Sequence, residues 1–230
     1  MIPRILEPEI MDTQAEAVEY NTMDHAAVNR AFVDDLLRLV DAEGRFGGAA
    51  GTIRVLDVGT GTALIPLELC SRGNKWRVVG IDLAQAMLAQ GSNNVTAAGM
   101  AEMIDLRHVD AKRLPFGDGE FAVVMSNSII HHIPDPSDCL AEMVRVVSKS
   151  GGQLFVRDLM RPESEQQLDD LVDTHAGDAT EHQRKMFSES LHAALTLDEI
   201  RTLAKPFGIE AACIHQTTDR HWTLAWRRAD

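Results

Sequence analysis

Apolar positions along this chain follow two periods, and the change between them divides it. Phe32, Leu36 and Leu37, followed by Val40, recur at helical spacing and predict a helix from about His25 to Val40, ended by Gly44 and the Gly47-Gly48 pair. Ahead of it, Ala15, Ala17 and Val18 share one face of a helix beginning near Thr13, after an acidic lead, Glu7-Pro8-Glu9-Ile10-Met11-Asp12. From Ile53 onward the pattern shifts to short runs suited to buried strands: Ile53 to Leu56, Trp76 to Ile81, Ile104 to Val109, Phe121 to Met125 and Gln153 to Val156. Helical stretches lie between them, from Leu64, from Leu83 to about Asn93, and after a Ser137 cap with Leu140, Met143 and Val147 as its apolar positions. Strands alternating with helices predict an α/β fold with a parallel sheet.

The last third reads differently. Residues 162–195 are polar and helical, with Leu168, Leu171 and Val172 as one apolar face. They are expected to be an insertion rather than a new domain. Thr196 caps a helix from Leu197 to Ala204, with Glu199 completing a capping box, and Lys205-Pro206-Phe207-Gly208 breaks it. Ala211 to Thr217 and Trp222 to Trp226 are two strands joined by Thr218-Asp219-Arg220-His221, so short a link that they must be antiparallel neighbours. That makes seven strands in one expected domain, 1–230, with an N-terminal helical cap (1–50), a ligand-binding core (51–161), the helical insertion (162–195) and a last helix with a β-hairpin (196–230).

Composition narrows the partners. A chain of 230 residues suffices for one sizeable α/β domain. Its formal net charge of −13 argues against a broad nucleic-acid footprint and against anionic lipid. No run reaches the length of a membrane span. Met1 to Glu7 has no long apolar stretch, so no secretory signal is expected. Cys70, Cys139 and Cys213 are scattered and lack metal-ligand spacing, and a cytoplasmic location is the expectation.

The chemistry concentrates at Val55-Leu56-Asp57-Val58-Gly59-Thr60-Gly61-Thr62-Ala63. Strand, glycine turn and helix form the nucleotide-binding corner of an open α/β sheet, where glycines let backbone approach a ligand. A dinucleotide fingerprint needs a third glycine where Leu64 stands. Asp57 would repel a pyrophosphate and suits a ligand with a positive amino group. Asp82 ends the next strand, roughly where a ribose-binding carboxylate belongs, about 20 residues on. The plainer alternatives are glycines needed only for the bend, Asp82 as a helix N-cap, and Asp110 as another cap.

Asp57, Gly59 and Gly61 match D/E-x-G-x-G-x-G, the first motif of class I S-adenosylmethionine (SAM) methyltransferases, with Ala63 in place of the last glycine. From about Arg54 to Arg161 the chain resembles that family, in the group that includes the quinone-biosynthesis C-methyltransferases (methyltransferase type 11). Glu7-Pro8-Glu9, Ser126 to His132 and Asp158 to Pro162 are similar to segments of small bacterial enzymes within it. The resemblance implies a Rossmann-like, seven-stranded, mostly parallel sheet with a C-terminal antiparallel hairpin and helices on both faces. It implies SAM as cofactor and S-adenosylhomocysteine as product. The cofactor-binding residues it implies are Asp57, Gly59, Thr60 and Gly61, then Asp82 and Leu83 at the ribose, Asp110 and Ala111 at the adenine, and Asn127.

The strand ends at Ser126 to Asp135 and Arg157 to Pro162 open on the crevice side of such a sheet and are expected to face a small-molecule acceptor. Histidine has the pKa for a general base, and His131 is the candidate. His132, pointing elsewhere, is expected to pack or to line the mouth, although both histidines being structural is an equal alternative. Metal binding is not expected, because adjacent histidines here lack a third spaced ligand. Asp158 and Arg161 either meet the acceptor, Arg161 through a fork to an oxyanion, or pair with each other. Tyr20, Met23 or His25 would roof the pocket, with Tyr20 and His25 as acceptor contacts, though plain helix packing serves as well. Asp219, Arg220 and His221 read as a turn. The fourth strand does not end in the Asn/Asp-Pro-Pro-Tyr/Phe of amino-directed nucleic-acid enzymes, and the acids of divalent-metal catechol-type enzymes are missing there. The expected function is SAM-dependent methylation of a small molecule. The alternatives are a nicotinamide-dependent reductase and a non-catalytic SAM-binding module. Neither the acceptor's identity nor an oligomeric state follows from the residues.

Overall fold

The computed structural model describes residues 1–7, 12–23, 25–41 and 51–229. Pro8 and Glu9 of the acidic lead, and Gly44, Gly47 and Gly48, lie outside the described residues. The short runs form β1 (Ile53–Val58), β2 (Trp76–Asp82), β3 (Ile104–His108), β4 (Val123–Asn127), β5 (Gln153–Leu159), β6 (Ile214–Gln216) and β7 (His221–Arg227). They join one sheet in the order β3-β2-β1-β4-β5-β7-β6. β1 is parallel to β2 and β4, β2 is parallel to β3, and β6 is antiparallel to β7. This is the Rossmann-like α/β sheet with a closing antiparallel hairpin.

The strand ends depart from expectation where function is at stake. β4 starts at Val123 and runs to Asn127, because Phe121 makes a separate parallel bridge to Val147. β5 continues through Leu159 and is buried along its whole length. Arg157 and Asp158 look like a strand end in sequence because they are charged. They stay inside the strand because each finds a partner there: Arg157 donates to the Thr223 hydroxyl, and Asp158 accepts several bonds.

The chain divides into two compact units. The larger comprises Ile10–Asn127, Asp138–Val156 and Ala225–Asp230. It holds β1 to β4 with helices α1 (Gln14–Thr22), α2 (Ala26–Asp41), α3 (Leu64–Ser71), α4 (Gln85–Ala97) and, from Asp138, most of α5 (Ser137–Val146). Phe32, Leu36 and Val40, four residues apart on α2, are fully buried with Val33 against Val55, Val78, Val123, Met125 and Phe155. Each large side chain buried in this way contributes about 1.5–3 kcal/mol. α1 begins with a capping box, Thr13 with Glu16, and buries Ala17 on Ala84 and Met87.

The smaller unit comprises Met1–Glu9, Ser128–Ser137 and Arg157–Leu224. The expected insertion is two helices, α6 (Glu165–Ala176), capped by Ser164, and α7 (Glu181–Ala193), capped by Thr180 with Gln183. α8 (Leu197–Ala204) carries the expected Thr196–Glu199 capping box. α5 is entered through Asp135, which accepts from the Ser137 N–H and takes over the capping expected of Ser137. The unit's core is Leu159, Leu168, Leu171, Val172, Leu191 and Ala194, and Ile2 is buried among them. That burial anchors the N-terminal segment, residues 1–7, along α7, where the Ile5 N–H donates to the His192 carbonyl. The three cysteines are free, Cys70 and Cys139 being buried. Among the described residues no helix is long and apolar enough to cross a membrane.

Candidate active site

Within the larger unit, β1 delivers Asp57 to its carboxyl end at 2% exposure. Burial pushes its carboxyl up to about 7; the Thr60 side chain pulls it down, and the charge of Asp82 adds to the rise. The chain then turns through Gly59 at φ 76° and Gly61 at φ 53°, left-handed positions that glycine adopts without penalty. The Gly59 and Thr60 N–H groups donate to the Ile81 carbonyl at 2.9 and 2.8 Å, which fastens the turn to β2. Ala63, at the place of the missing glycine, also holds φ 63° and is fully buried.

Asp82, at the end of β2, organises the corner. One carboxylate oxygen accepts from the Gly61 N–H at 2.8 Å and the other from the Ala84 N–H at 2.9 Å. Asp82 therefore braces the turn that leads into α4, whose N-cap is Ala84. α4 presses on the turn from one side: Asn94 donates to the Thr62 carbonyl at 2.9 Å and to the Asn21 side chain at 2.7 Å. A Cβ at Gly91 would stand 3.1–3.3 Å from Leu106, Thr62 and Gly61, so glycine permits this close approach. Tyr20 lies beside Gly61, and its ring is 4.5 Å from that of His25, whose Nε2 is 3.0 Å from the Tyr20 carbonyl. Surrounding protein, then Asp82 and Asp57, push the Tyr20 hydroxyl up to about 12, so it stays a donor. The structure thus sets Tyr20 against the glycine turn and His25 against Tyr20.

The other expected cofactor residues sit at neighbouring strand ends. The Leu83 carbonyl accepts from His108 Nε2 at 3.0 Å. Asp110 accepts from the Lys112 N–H at 2.9 Å, which is a turn cap, and Ala111 follows half-buried. Asn127 is the half-buried last residue of β4, and the preceding Ser126 hydroxyl donates to the Val58 carbonyl at 2.8 Å, stitching β4 to β1.

The smaller unit holds a second polar constellation. Ile130–His132 is a single 3-10 turn over β5. Asp158 accepts from the Ile130 N–H at 2.6 Å, the Leu159 N–H at 2.6 Å and His131 Nδ1 at 2.5 Å. Burial alone would raise its carboxyl; His131 and these bonds outweigh that and hold it below the usual range. His131 is 3% exposed. Burial favours its neutral form, but Asp158 and Glu7 prevail over burial and Arg4 and raise its pKa. Glu7 reaches both histidines: its Oε1 is 3.5 Å from His131 Nε2 and 3.0 Å from His132 Nδ1. The two imidazoles are 4.2 Å apart, so the adjacent side chains converge rather than diverge as expected. Arg4 pins the turn, donating to the carbonyls of Ile133 at 3.0 Å, Pro134 at 2.9 Å and Ala193 at 2.7 Å.

Arg161 does not pair with Asp158. Its Nη2 donates to Glu199 at 2.5 Å, while Nε and Nη1 are buried with no hydrogen-bond partner. Asp219 and Arg220 both engage His175 of α6, which makes the β6–β7 turn an anchor for the insertion.

Residues 56–156 match the model of the methyltransferase domain. The chain is 35% identical over 109 residues to phosphatidylethanolamine N-methyltransferase of Cereibacter sphaeroides, covering 47% of this chain and 52% of that one. Over 109 residues it is 32% identical to demethylmenaquinone methyltransferase of Desulfitobacterium hafniense, covering 47% and 43%. The chain thus spans about half the length of the curated relatives it matches. In fold it is similar to a SAM-dependent methyltransferase from Aquifex aeolicus, with a TM-score of 0.57 and 16% identity over 87% of this chain and 98% of that one.

The matched stretch, 56–156, contains Asp57, the glycine turn, Asp82, Asp110, Asn127, His131 and His132. Glu7, Tyr20, His25, Asp158 and Arg161 lie outside the match. Glu7, Arg4 and Asn94 are the participants that sequence reasoning missed. Asn94 carried a faint signal, an amide on a helix whose neighbour Val95 is buried. Arg4 carried none and Glu7 only its place in the acidic lead, because their partners lie more than a hundred positions away.

Proposed function

We propose that the chain is a SAM-dependent methyltransferase acting on a small-molecule acceptor. The observation that carries this reading is the buried Asp57 carboxyl above a left-handed glycine turn whose N–H groups are held by Asp82 and β2. A dry carboxylate facing a bound ammonium gains far more than an exposed one, because the competing solvent is gone. Asp57 takes the methionyl amino group, the Gly59-Thr60-Gly61 turn cradles the methionyl chain, and Asp82 with Leu83 takes the ribose. Asp110 and Ala111 take the adenine, Asn127 lines the cofactor side of β4, and Tyr20 and His25 cover the turn.

Methyl transfer from a sulfonium is a near-linear displacement, so holding donor and acceptor aligned supplies much of the rate. The acceptor falls to His131, His132, Asp158 and Arg161. Asp158 fixes the His131 tautomer, leaving Nε2 as the atom that meets chemistry. The two unpartnered donors of Arg161 suit an acceptor with an oxyanion. The relatives named above act, by their names, on a phospholipid amine and on a quinone precursor, so the shared core fits several acceptors. The acidic chain is assigned no nucleic-acid partner, and its free cysteines suit a reducing cytoplasm.

Isothermal titration with SAM, S-adenosylhomocysteine and NAD tests the reading. The first two are expected to compete for one site and NAD to give no heat. NAD binding without a response to SAM would favour the reductase, and SAM binding without turnover across an acceptor screen would favour the non-catalytic module.

A further inference from the structure

Glu7 Oε1 and His132 Nδ1 are buried atoms without a hydrogen-bond partner, although they lie 3.0 Å apart. Unpaired buried polar atoms are costly and rare, and two that face one another ask for a shared ligand. His131 Nε2 is 3.5 Å from the same Glu7 oxygen, and the three ligand atoms all lie within 4.8 Å of one another. Two donors each about 2.0–2.1 Å from a tetrahedral ion stand about 3.3 Å apart, between the 3.0 and 3.5 Å that separate Glu7 Oε1 from the two histidine nitrogens. His131 is also oriented as a metal ligand is: its other nitrogen, Nδ1, donates to a buried carboxylate, Asp158, at 2.5 Å. A carboxylate behind the ring fixes the tautomer and makes the outer nitrogen a better donor. Glu7 and Asp158 against Arg4 leave the surroundings with one net negative charge when both histidines are neutral.

We propose that Glu7, His131 and His132, backed by Asp158, bind a divalent transition-metal ion of the kind that takes imidazole and carboxylate ligands. Two imidazoles and one carboxylate fit zinc and its neighbours, and three protein ligands leave a coordination position open for water or an acceptor oxygen. Histidines adjacent in sequence lack a third ligand only until the N-terminal segment, anchored by Ile2 and Arg4, supplies one. In this assignment His131 Nε2 is a metal ligand rather than the general base expected of it. The site stands whether or not methyl transfer does.

The test uses the untagged full chain, stripped with a chelator and titrated with Zn²⁺ by calorimetry and with Co²⁺ by visible absorption. One equivalent per chain is expected, with cobalt bands of a low-coordinate nitrogen–oxygen site. Glu7→Gln and His132→Ala are each expected to weaken Zn²⁺ about tenfold or more, and Asp158→Asn about 10–100-fold. Both ligand variants should keep the parent's melting temperature in the absence of metal. Should Asp158→Asn fail to fold, Glu7→Gln and His132→Ala decide alone. No stoichiometric binding by the parent chain, or binding that neither ligand variant weakens, overturns the site. A SAM titration on the same samples reports separately on the methyltransferase reading.

Discussion

The glycine corner and the histidine cluster are built in opposite ways. The corner is one continuous stretch, residues 57–63, steadied by Asp82, Asn94 and Tyr20. The cluster gathers Glu7, His131, Asp158 and Ser190 from four separate segments; the Ser190–Glu7 bond alone spans 183 positions. The corner relies on backbone N–H groups and positive φ, which sequence spacing dictates. The cluster relies on side chains whose meeting depends on how strands and helices pack. A shared cofactor suits the first construction. A private acceptor suits the second, since distant residues change without disturbing the turn.

The sharpest way to break this division is His131→Ala. Whether Nε2 meets a proton or a metal, losing it should lower turnover about 10²–10⁴-fold, the usual range for a lost acid–base group. SAM affinity by titration should stay within about twofold of the parent value. A comparable fall in SAM affinity would show that the two regions are not independent.

The converse variant is Asp82→Ala. Charge-assisted hydrogen bonds are worth about 1.5–3 kcal/mol each, or about 10–150-fold in affinity. Asp82 also holds the Gly61 and Ala84 N–H groups, so the turn itself loosens. SAM should bind at least tenfold more weakly, while turnover at saturating SAM changes little. Unchanged SAM binding would mean that Asp82 only braces the turns at Gly61 and Ala84.

This contrast also explains what the sequence made legible. Asp57, Gly59, Gly61 and Asp82 were readable because a turn and two strand ends fix their relation within 26 residues. The seven strands were readable from their runs. The reach of β5 was not, because Asp158 reads as a polar terminus until His131 and two N–H groups arrive to satisfy it. A pairing of Arg161 with Asp158 was one of two expectations, but Arg161 donates to Glu199, at the start of α8, which no local pattern joins to it. Glu7 was visible only as part of an acidic lead. Its role depends on Ile2 burying among α6 and α7, which no local pattern encodes.

A pH titration sharpens the comparison from the donor side. In the unliganded protein the Asp57 carboxyl, raised to about 7, keeps a proton that the unfolded chain gives up near its ordinary value. The folded state binds more protons across that window, so this group makes stability fall as pH rises toward 7. A ligand ammonium reverses the preference by favouring the carboxylate. SAM affinity should therefore rise with pH, by about eightfold between pH 6 and 7.5 for a single group at 7. Asp57→Asn should flatten the profile. A flat profile in the parent chain would place the ammonium elsewhere.

The smallest effect concerns Ala63, the alanine held at φ 63° where the family motif has glycine. Three terms compete. Left-handed backbone costs a residue with a Cβ about 1–2 kcal/mol, which Ala63→Gly would recover. Glycine loosens the unfolded chain and returns about 0.4–1 kcal/mol of that gain. The alanine methyl is fully buried, and removing it forfeits about 0.8 kcal/mol. The sum is close to zero, which is why alanine is tolerated in a turn of glycines. Ala63→Gly should shift the melting temperature by less than about 3 °C and leave SAM affinity unchanged. Ala63→Val keeps the methyl burial but adds a branched side chain at positive φ, an outlier conformation, so it should lower the melting temperature clearly. A large stabilisation by glycine would mean that the Ala63 methyl packs against little and that the donor turn is strained. Equal melting temperatures for all three residues would mean that the backbone at 63 is not left-handed, and the construction of the corner argued here would fail with it.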